Sequence, residues 1–225
     1  GGLSRNAYVF GAEFTRISSQ KKQQEKMDAS LTRLEAEIER SAADNSGSAL
    51  SLEDSQLIYQ KLQAQRALLK RLKKVKATGR IVLDVNYNNI AANLSFPDLV
   101  LEHGDTLYVP QLPSTVNVFG AVYNQTSHLY RKGYKARNYL YLAGGFTKDS
   151  DDDNIYILRA NGIVISQQQS NLFENILRYD MYPGDSIIIP EEIDEFSLSK
   201  ELKDWSQILY QFALGVAGLK VLGDF

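Results

Sequence analysis

Two histidines and one acidic run are the residues best suited to catalysis or metal binding. The acidic run DSDDD spans 149–153 and offers carboxylate oxygens, which are the ligands that Ca²⁺ prefers. A helix–loop–helix calcium loop that began at Asp149 would need glycine in its sixth place and glutamate in its twelfth. The sequence has Asn154 and Ala160 at those places, so we interpret the run as a solvated acidic loop.

The histidines, His103 and His128, fall in separate loops. Neither has the nucleophile and third polar partner that a catalytic triad needs, and a turn accounts for Glu102 and Asp105 beside His103. The chain has no cysteine, which removes thiol nucleophiles, Cys-based metal sites and disulfides together. We therefore predict no catalytic residue, no metal ligand and no cofactor, and we expect that the protein is not an enzyme.

A basic run, KRLKKVK, occupies residues 70–76, with Arg80 beyond it. Cations in the last turns of a helix are stabilised by the helix dipole, which is the simplest explanation. Contact with an anionic lipid surface or an acidic polysaccharide is the alternative. Nucleic acid is not an expected partner, because the net charge of the chain is −2 and no aromatic residues are interleaved with the run.

A cluster of aromatic and cationic residues surrounds one loop and the start of the following predicted helix. Such residues can contact sugars or a neighbouring subunit. The chain contains 13 tyrosines, so some clustering arises by chance, and we favour a subunit interface over a direct sugar site. The residues of this candidate glycan or subunit contact are Tyr123, Tyr130, Arg131, Lys132, Tyr134 and Arg137.

Two heptad-like seams predict a pair of helices within 17–78. The polar segment 41–51 separates them, and Ser51-Leu52-Glu53-Asp54 resembles a capping box. Helices joined by a short polar turn lie antiparallel, so we predict a helical coiled-coil hairpin. The seam residues are Met27, Leu31, Leu34 and Ile38 in the first helix and Ile58, Leu62, Gln65, Leu69 and Leu72 in the second.

An internal repeat follows the hairpin. Segment 104–110, GDTLYVP, matches segment 184–190, GDSIIIP, in kind at every position. In each, Gly-Asp forms a turn, β-forming residues form a strand, and proline ends it. The repeat predicts two copies of one small module with the hairpin inserted in the first. The second copy has a full set of predicted strands, the helix 136–143 and a short helix 172–177.

Segments of the second copy resemble a known family: VFGAV at 118–122, YLYLAGG at 139–145, NIYILRANG at 154–162, and the closing 184–190. They resemble the soluble-ligand-binding β-grasp (SLBB) domain of outer-membrane polysaccharide export proteins of Gram-negative bacteria. The resemblance covers roughly residues 79–222, with 7–15 as a stub of a preceding copy. It implies β-grasp (ubiquitin-like) SLBB modules. Together with the helices predicted from the sequence pattern, the expected fold is α+β: SLBB modules with an inserted antiparallel helical hairpin and a C-terminal amphipathic helix.

The resemblance also implies a function. Family members are periplasmic and outer-membrane associated, form rings that conduct capsule or exopolysaccharide, and work with an inner-membrane polysaccharide co-polymerase. Several end in a helix that helps to cross the outer membrane. The chain departs from the pattern in lacking the N-terminal export domain and lipidation signal and in carrying the helical hairpin. The initial Gly1-Gly2 resembles a cloning remnant, and no signal peptide is visible, so we expect an excised fragment.

The C-terminal segment predicts a helix from an N-cap at Ser199 to about Leu222. Its apolar residues form two roughly opposite stripes, and 208–222 gives only ~22 Å of helix against a bilayer core of ~30 Å. Three outcomes stay open: packing on its own domain, binding at a membrane interface or partner groove, or joining a ring of like helices. The resemblance favours the ring. The predicted membrane or oligomer contacts are Leu202, Trp205, Ile208, Leu209, Phe212, Leu214, Val216, Leu219 and Val221.

The predicted domains are a partial first β-grasp module (3–16 and 79–112), the hairpin insertion (17–78), a complete second module (113–192) and the C-terminal helix (197–225). The main hypothesis is a non-enzymatic component of a capsule or exopolysaccharide export channel. In this hypothesis homo-oligomers form a ring in the periplasm and at the outer membrane. The alternative is a monomeric periplasmic ligand-binding or adaptor module.

Overall fold

The computed structural model describes residues 2–46, 52–83, 85, 87, 99–167 and 175–190. These residues form helices and two separate sheets, so the predicted α+β class is confirmed at this level. They fall into two compact units: unit 2 holds Ile17–Gly79, and unit 1 holds the described residues before and after it. The predicted C-terminal helix, the capping residue Ser51 and residues 172–174 of the predicted helix 172–177 lie outside the described residues, and its end falls in a 3-10 turn, Ile176–Arg178.

Unit 2 consists of helices α1 (Ile17–Ser46) and α2 (Leu52–Leu72). Glu39 pairs with Arg66 and Glu35 pairs with Lys73, so the sequence number falls on one helix as it rises on the other and the two run antiparallel. The predicted seam lies between them, with Met27, Leu31, Leu34, Ile38, Leu69 and Leu72 buried. Helix α1 continues into the segment predicted as a loop, because Ser41-Ala42-Ala43 includes the residue with the highest helix propensity.

The last segment of unit 2, residues 77–79, runs alongside α1. Gln24 accepts a hydrogen bond from the Ala77 amide at 2.9 Å, and Gln20 donates to the Ala77 carbonyl at 2.9 Å. Gln23 accepts from the Gly79 amide at 3.1 Å. Side-chain amides of α1 therefore satisfy backbone groups of the segment 77–79.

Unit 1 begins with a three-stranded antiparallel sheet, in the order β2-β1-β3. Its strands are short: β1 is Glu13–Thr15, β2 is Arg80–Ile81 and β3 is Thr106–Tyr108. The sequence predicted longer strands at 7–15 and 80–85. A 3-10 turn, Val9–Gly11, interrupts the first, so its apolar residues are buried without continuous pairing.

The larger sheet has five strands in the order β5-β4-β8-β6-β7. They are β4 (Thr115–Gly120), β5 (Thr126–Leu129), β6 (Tyr156–Leu158), β7 (Val164–Ser166) and β8 (Ser186–Ile189). Strands β4 and β8 are parallel at its centre, and the other neighbours are antiparallel. Helix α3 (Ala136–Leu142) buries Ala136, Tyr139 and Leu140 in the core of this sheet.

The two sheets contain an internal repeat that holds residue for residue. Phe14 pairs with Leu107 in the first, as Ile157 pairs with Ile187 in the second. On the other side Phe14 pairs with Ile81, as Ile157 pairs with Ile165. We call 8–16, 80–81 and 99–110 the first copy, and 151–159, 164–165 and 179–190 its equivalent in the second copy. Unit 2 lies between β1 and β2, where the second copy has only the turn 159–163.

Each copy is closed by one arginine and one aspartate, which we call the Arg–Asp clasp. Arg16 donates to both carboxylate oxygens of Asp105, at 3.0 and 2.8 Å, and to the Val100 carbonyl at 2.8 Å. In the second copy Arg159 donates to Asp185 at 2.6 Å and to the carbonyl of Asp180, the equivalent of Val100, at 2.7 Å. The clasp therefore recurs down to its backbone contact, which supports a true repeat.

The two clasps differ in their electrostatics. Asp185 is fully buried. Burial raises the pKa of its carboxyl group, although the charge of Arg159 and the hydrogen bond from the Tyr182 amide act in the opposite direction. The hydrogen bonds from Arg16 lower the pKa of Asp105. The second clasp is thus a buried ion pair, whereas the first lies nearer to solvent.

The two copies are joined by an aromatic contact. Tyr87 stacks on Tyr182 with ring centroids 4.1 Å apart, and Phe10 meets both rings edge-on. The Tyr8 hydroxyl donates to the Pro183 carbonyl at 2.7 Å, and Arg80 donates to the Ala160 carbonyl at 2.8 Å. Rings and hydrogen bonds from both copies thus share one buried boundary.

Candidate functional site

The candidate contact predicted from the sequence centres on the corner between β5 and α3. The corner begins where the Tyr130 amide donates to the Ser114 carbonyl at 2.7 Å, and it turns where the Tyr134 amide donates to the Arg131 carbonyl at 3.1 Å. The N-terminus of α3 follows immediately, with the Asn138 side chain accepting from the Lys135 amide at 2.9 Å. These backbone bonds fix the direction in which the corner side chains leave the surface.

Tyr139 holds the corner from below. It lies on the buried face of α3, and its hydroxyl accepts a hydrogen bond from the Arg131 amide at 2.8 Å. Its ring meets that of Tyr134 edge-on at 5.7 Å, and burial raises the pKa of Tyr139. The sequence pattern places Tyr139 in the helix but does not predict its contact with Arg131, because that contact depends on how the loop folds back.

Arg131 is exposed at the corner, whereas Tyr134 beside it is half-buried, with its ring packed against the core of the second copy. The Arg131 guanidinium donates to the Tyr134 hydroxyl at 2.9 Å and lies 5.3 Å from the centre of its ring. Lys132 and Arg137 are exposed on the same loop and on the first turn of α3. The structure therefore brings three cations and one aromatic ring of the predicted set to one end of α3.

Lys135 and Arg178 extend the positive charge of the corner. Lys135 donates to the Arg178 carbonyl at 2.9 Å and to the Asp180 carboxylate at 3.0 Å. The Arg178 side chain is exposed. Neither residue belongs to the set predicted from the sequence, because the segment 176–180 reaches the corner only through the folded chain.

Tyr130, like Tyr134, is a half-buried ring of the set. Its ring packs against the core of the second copy, and burial together with its neighbour Tyr87 raises its pKa to about 12. Tyr130 therefore supports the corner and offers little of its ring to a ligand.

Tyr123 lies at the opposite end of α3. Its amide donates to the Gly145 carbonyl at 3.4 Å, and its side chain lies against Gly144, which follows the helix. Tyr123 is 70% exposed and Tyr141 is 83% exposed, and Leu142 is exposed as well. Helical periodicity gives the signal that sequence analysis missed: with positions 136, 139, 140 and 143 buried, position 141 faces outward.

The chemistry that the corner offers is binding. Guanidinium and ammonium groups donate to carboxylate and hydroxyl oxygens, and the uncovered part of the Tyr134 ring presents an aromatic surface. Among the described residues no cluster of carboxylate and imidazole groups is suited to hold a metal ion. The predicted contact residues of the C-terminal segment, from Leu202 to Val221, lie outside the described residues. Within the described part, no helix combines the length and apolarity needed to cross a bilayer.

The chain is similar to two curated proteins, both named polysialic acid transport protein KpsD and both from Escherichia coli. Each is 25% identical to it over 201 residues, which is 89% of this chain and 32% of the relative. The chain thus spans about a third of the length of these relatives. No family model matches the chain.

Proposed function

We propose that the chain is a non-enzymatic component of a capsule or exopolysaccharide export channel. The observation that carries the proposal is the similarity over 89% of the chain to proteins named for polysialic acid transport. Two features of the structure support it: a repeated strand arrangement, and a corner that combines cations with an aromatic ring. The localisation that goes with this function is the periplasm, in association with the outer membrane.

We assign the two copies to SLBB modules of the β-grasp fold. The order β5-β4-β8-β6-β7, with a parallel central pair and one helix against the sheet, supports this assignment. The modules comprise 3–16 with 79–112 and 113–192, the helical hairpin 17–78 is the insertion, and 197–225 is the C-terminal helix. The recurrence of the Arg–Asp clasp supports the division into two copies.

The corner between β5 and α3 is the proposed contact with an acidic glycan or a neighbouring subunit. Arg131, Lys132 and Arg137 supply positive charge, and Tyr134 supplies the ring. An arginine pairs with a carboxylate through two parallel hydrogen bonds, which a neutral sugar cannot reproduce. The cations of the corner therefore favour a polysaccharide that carries carboxylates.

The assembly that we propose is a ring of identical subunits that works with an inner-membrane polysaccharide co-polymerase. The C-terminal segment supports the ring, because a helix with two apolar stripes needs two apolar neighbours. The mass of the intact protein in detergent measures this directly. Deletion of 199–225 is expected to lower that mass, and a protein that stays monomeric in both detergent and lipid would rule out the ring.

A chimera tests the export function. The 201 matched residues of the E. coli relative are replaced by the equivalent part of this chain in cells that lack the relative, and surface polysialic acid is measured. We expect export by the chimera and a reduced level when Arg131, Lys132 and Arg137 are changed to Gln together. The matched control changes three exposed cations of unit 2, Lys21, Lys22 and Lys26, in the same way.

The outcomes separate clearly. Loss of export in the corner variant with retention in the control supports a contact through the corner. Equal export in both variants would exclude the corner, and a folded, membrane-targeted chimera without any export would contradict the proposed function.

A further inference from the structure

The first copy exposes residues whose equivalents in the second copy form its core. Leu101 is 72% exposed, whereas Met181, its equivalent, is 1% exposed. Leu107 is 47% exposed, whereas Ile187 is fully buried. The pairing register and the Arg–Asp clasp fix these equivalences independently of side-chain character.

The structure also records what covers these positions in the second copy. Strand β4 pairs in parallel with the outer edge of β8, and Val118 lies opposite Ile187. Helix α3 adds Tyr139 and Leu140 to the same core. In the first copy β3 takes the place of β8, and no described strand lies on its outer edge.

The exposed residues have kept the character of a covered face. A strand edge that faces water usually carries charged residues or proline, but β3 presents Leu107 and Tyr108, both exposed. Thr106 also keeps the hydroxyl that Ser186 uses in the second copy, where Asn117 on β4 donates to it at 3.2 Å. Both the apolar and the polar features of this face therefore match a strand of the β4 type.

We propose that a strand–strand–helix segment of the full-length protein covers this face; it would precede Tyr8 in sequence and, being longer than the seven residues printed there, would lie outside residues 1–225. In the second copy β4, β5 and α3 stand before Asp151, the equivalent of Tyr8, and both residues donate to the equivalent proline carbonyls, Pro110 and Pro190. The first strand of the segment lies parallel to β3, in the register of Asn117–Gly120 on Ser186–Ile189, and its helix covers Leu101 and Leu107. The relatives are about three times as long as the matched region, which leaves room for such a segment.

The proposal rests on the two-copy organisation and not on polysaccharide export. A failure of the export chimera would leave it standing, and its own failure would leave the export function untouched.

A graft made from the chain itself provides the test. Residues 113–150 are duplicated and fused before Tyr8, so that the new junction reproduces the natural link from Ser150 to Asp151. Because the chain has no cysteine, a Leu107→Cys variant carries a single thiol whose labelling rate reports its exposure. We expect the graft to slow labelling at this position by about tenfold or more, the protection typical of a closed core.

Three controls define the outcome. A Leu129→Cys variant, exposed on the edge strand β5, should be labelled equally with and without the graft. An Ile187→Cys variant should stay protected in both, which shows that the second copy remains folded. A Val118→Asp substitution within the grafted segment should restore fast labelling at position 107, since Val118 is fully buried in the second copy.

Labelling at position 107 that is unchanged by the graft would overturn the proposal. Protection in the ungrafted chain would also overturn it. If that protection rises with protein concentration, a second copy of the chain covers the face. If it is independent of concentration, another part of residues 1–225 already covers it.

Discussion

Arg159 and Asp185 form a buried ion pair in which each group depends on the other. A carboxylate left inside the protein without its cation costs about 3–5 kcal/mol, whereas a partly exposed pair contributes about 0–1 kcal/mol. We therefore predict that Arg159→Met lowers the free energy of unfolding by about 3–5 kcal/mol. The equivalent change in the first clasp, Arg16→Met, should cost less than this, because the Asp105 carboxylate is nearer to solvent and keeps its hydrogen bond from the Glu102 amide. Urea denaturation of both variants measures the difference, and equal losses would show that the clasps are energetically alike.

We predict that His128 makes the stability of the protein depend on pH. Burial lowers its pKa, and its Nε2 atom is buried without a hydrogen-bond partner among the described residues. The unfolded chain therefore takes up a proton near pH 6.5 before the folded chain does. The stabilisation from neutral His128 is complete above that pH and is lost as the pH falls through the lower, folded-state value.

The measurement is the unfolding free energy between pH 8 and pH 5. A His128→Phe variant should lose less stability over this range than the parent protein, because the side chain no longer titrates. Parallel curves for the two proteins would show that His128 has the same pKa in the folded and the unfolded chain.

At the scale of residues, the sequence predicted types of contact better than partners. The cluster of Arg131, Lys132 and Tyr134 follows from local spacing, because a short loop keeps neighbours together. Tyr123 separates from it because an entire helix lies between them. The arginines of the clasps were not predicted. The helical insertion separates Arg16 from the first Gly-Asp turn by many more residues than separate Arg159 from the second.

Among the elements, the end of β4 depends on one glycine. Gly120 has φ +95°, and a Cβ atom there would run into the carbonyl oxygen of Ile189. Gly133 has φ +81° but open space around its missing Cβ, which makes it a matched control. Both Ala variants meet the backbone penalty of about 1–2 kcal/mol for this conformation, and only Gly120→Ala must also displace β8.

We predict a greater loss of thermal stability for Gly120→Ala than for Gly133→Ala. Calorimetry on the two variants gives the comparison. Equal melting temperatures would mean that β8 shifts without cost and that the close contact between β4 and β8 is not a constraint.

Secondary-structure elements with a strong period were predictable from the sequence. The seam from Met27 to Ile38 marks α1 because each fourth or third residue is apolar, and α3 has the same property over a shorter range. The end of α1 was predicted too early. Small polar residues do not end a helix whose preceding turns are already stabilised by packing against another helix. The strand at 7–15 was predicted too long, because apolar content alone does not distinguish a buried 3-10 turn from a strand.

At the scale of the whole molecule, unit 2 is inserted into the sequence of unit 1 at one position, between Arg16 and Arg80. In the second copy that position is the turn after Arg159, where Asn161 accepts a hydrogen bond from the Ile163 amide at 3.0 Å. We predict that replacing 17–79 by Ala-Asn-Gly-Ile, between Arg16 and Arg80, leaves unit 1 folded. Cooperative melting and the near-ultraviolet spectrum of its tyrosines test this, and a shortened chain without either would show that unit 1 needs the helices.

The match between the two segments Gly104–Pro110 and Gly184–Pro190 was visible in the sequence, because Gly-Asp and the closing proline are short, local signals; the division into two modules stays a prediction. The uncovered face of the first copy was not visible there, since Leu101 and Leu107 look like ordinary core residues in the sequence. Exposure depends on which other segments are present, and no property of a leucine itself reports that.

The stacked rings of Tyr87 and Tyr182, with Phe10 set against both, have a mechanical consequence. A hinge needs a boundary that can open at little cost, and rings packed from both sides resist both bending and twisting. Opening this boundary would expose the rings to water, so we expect the two copies to move together rather than to bend against each other.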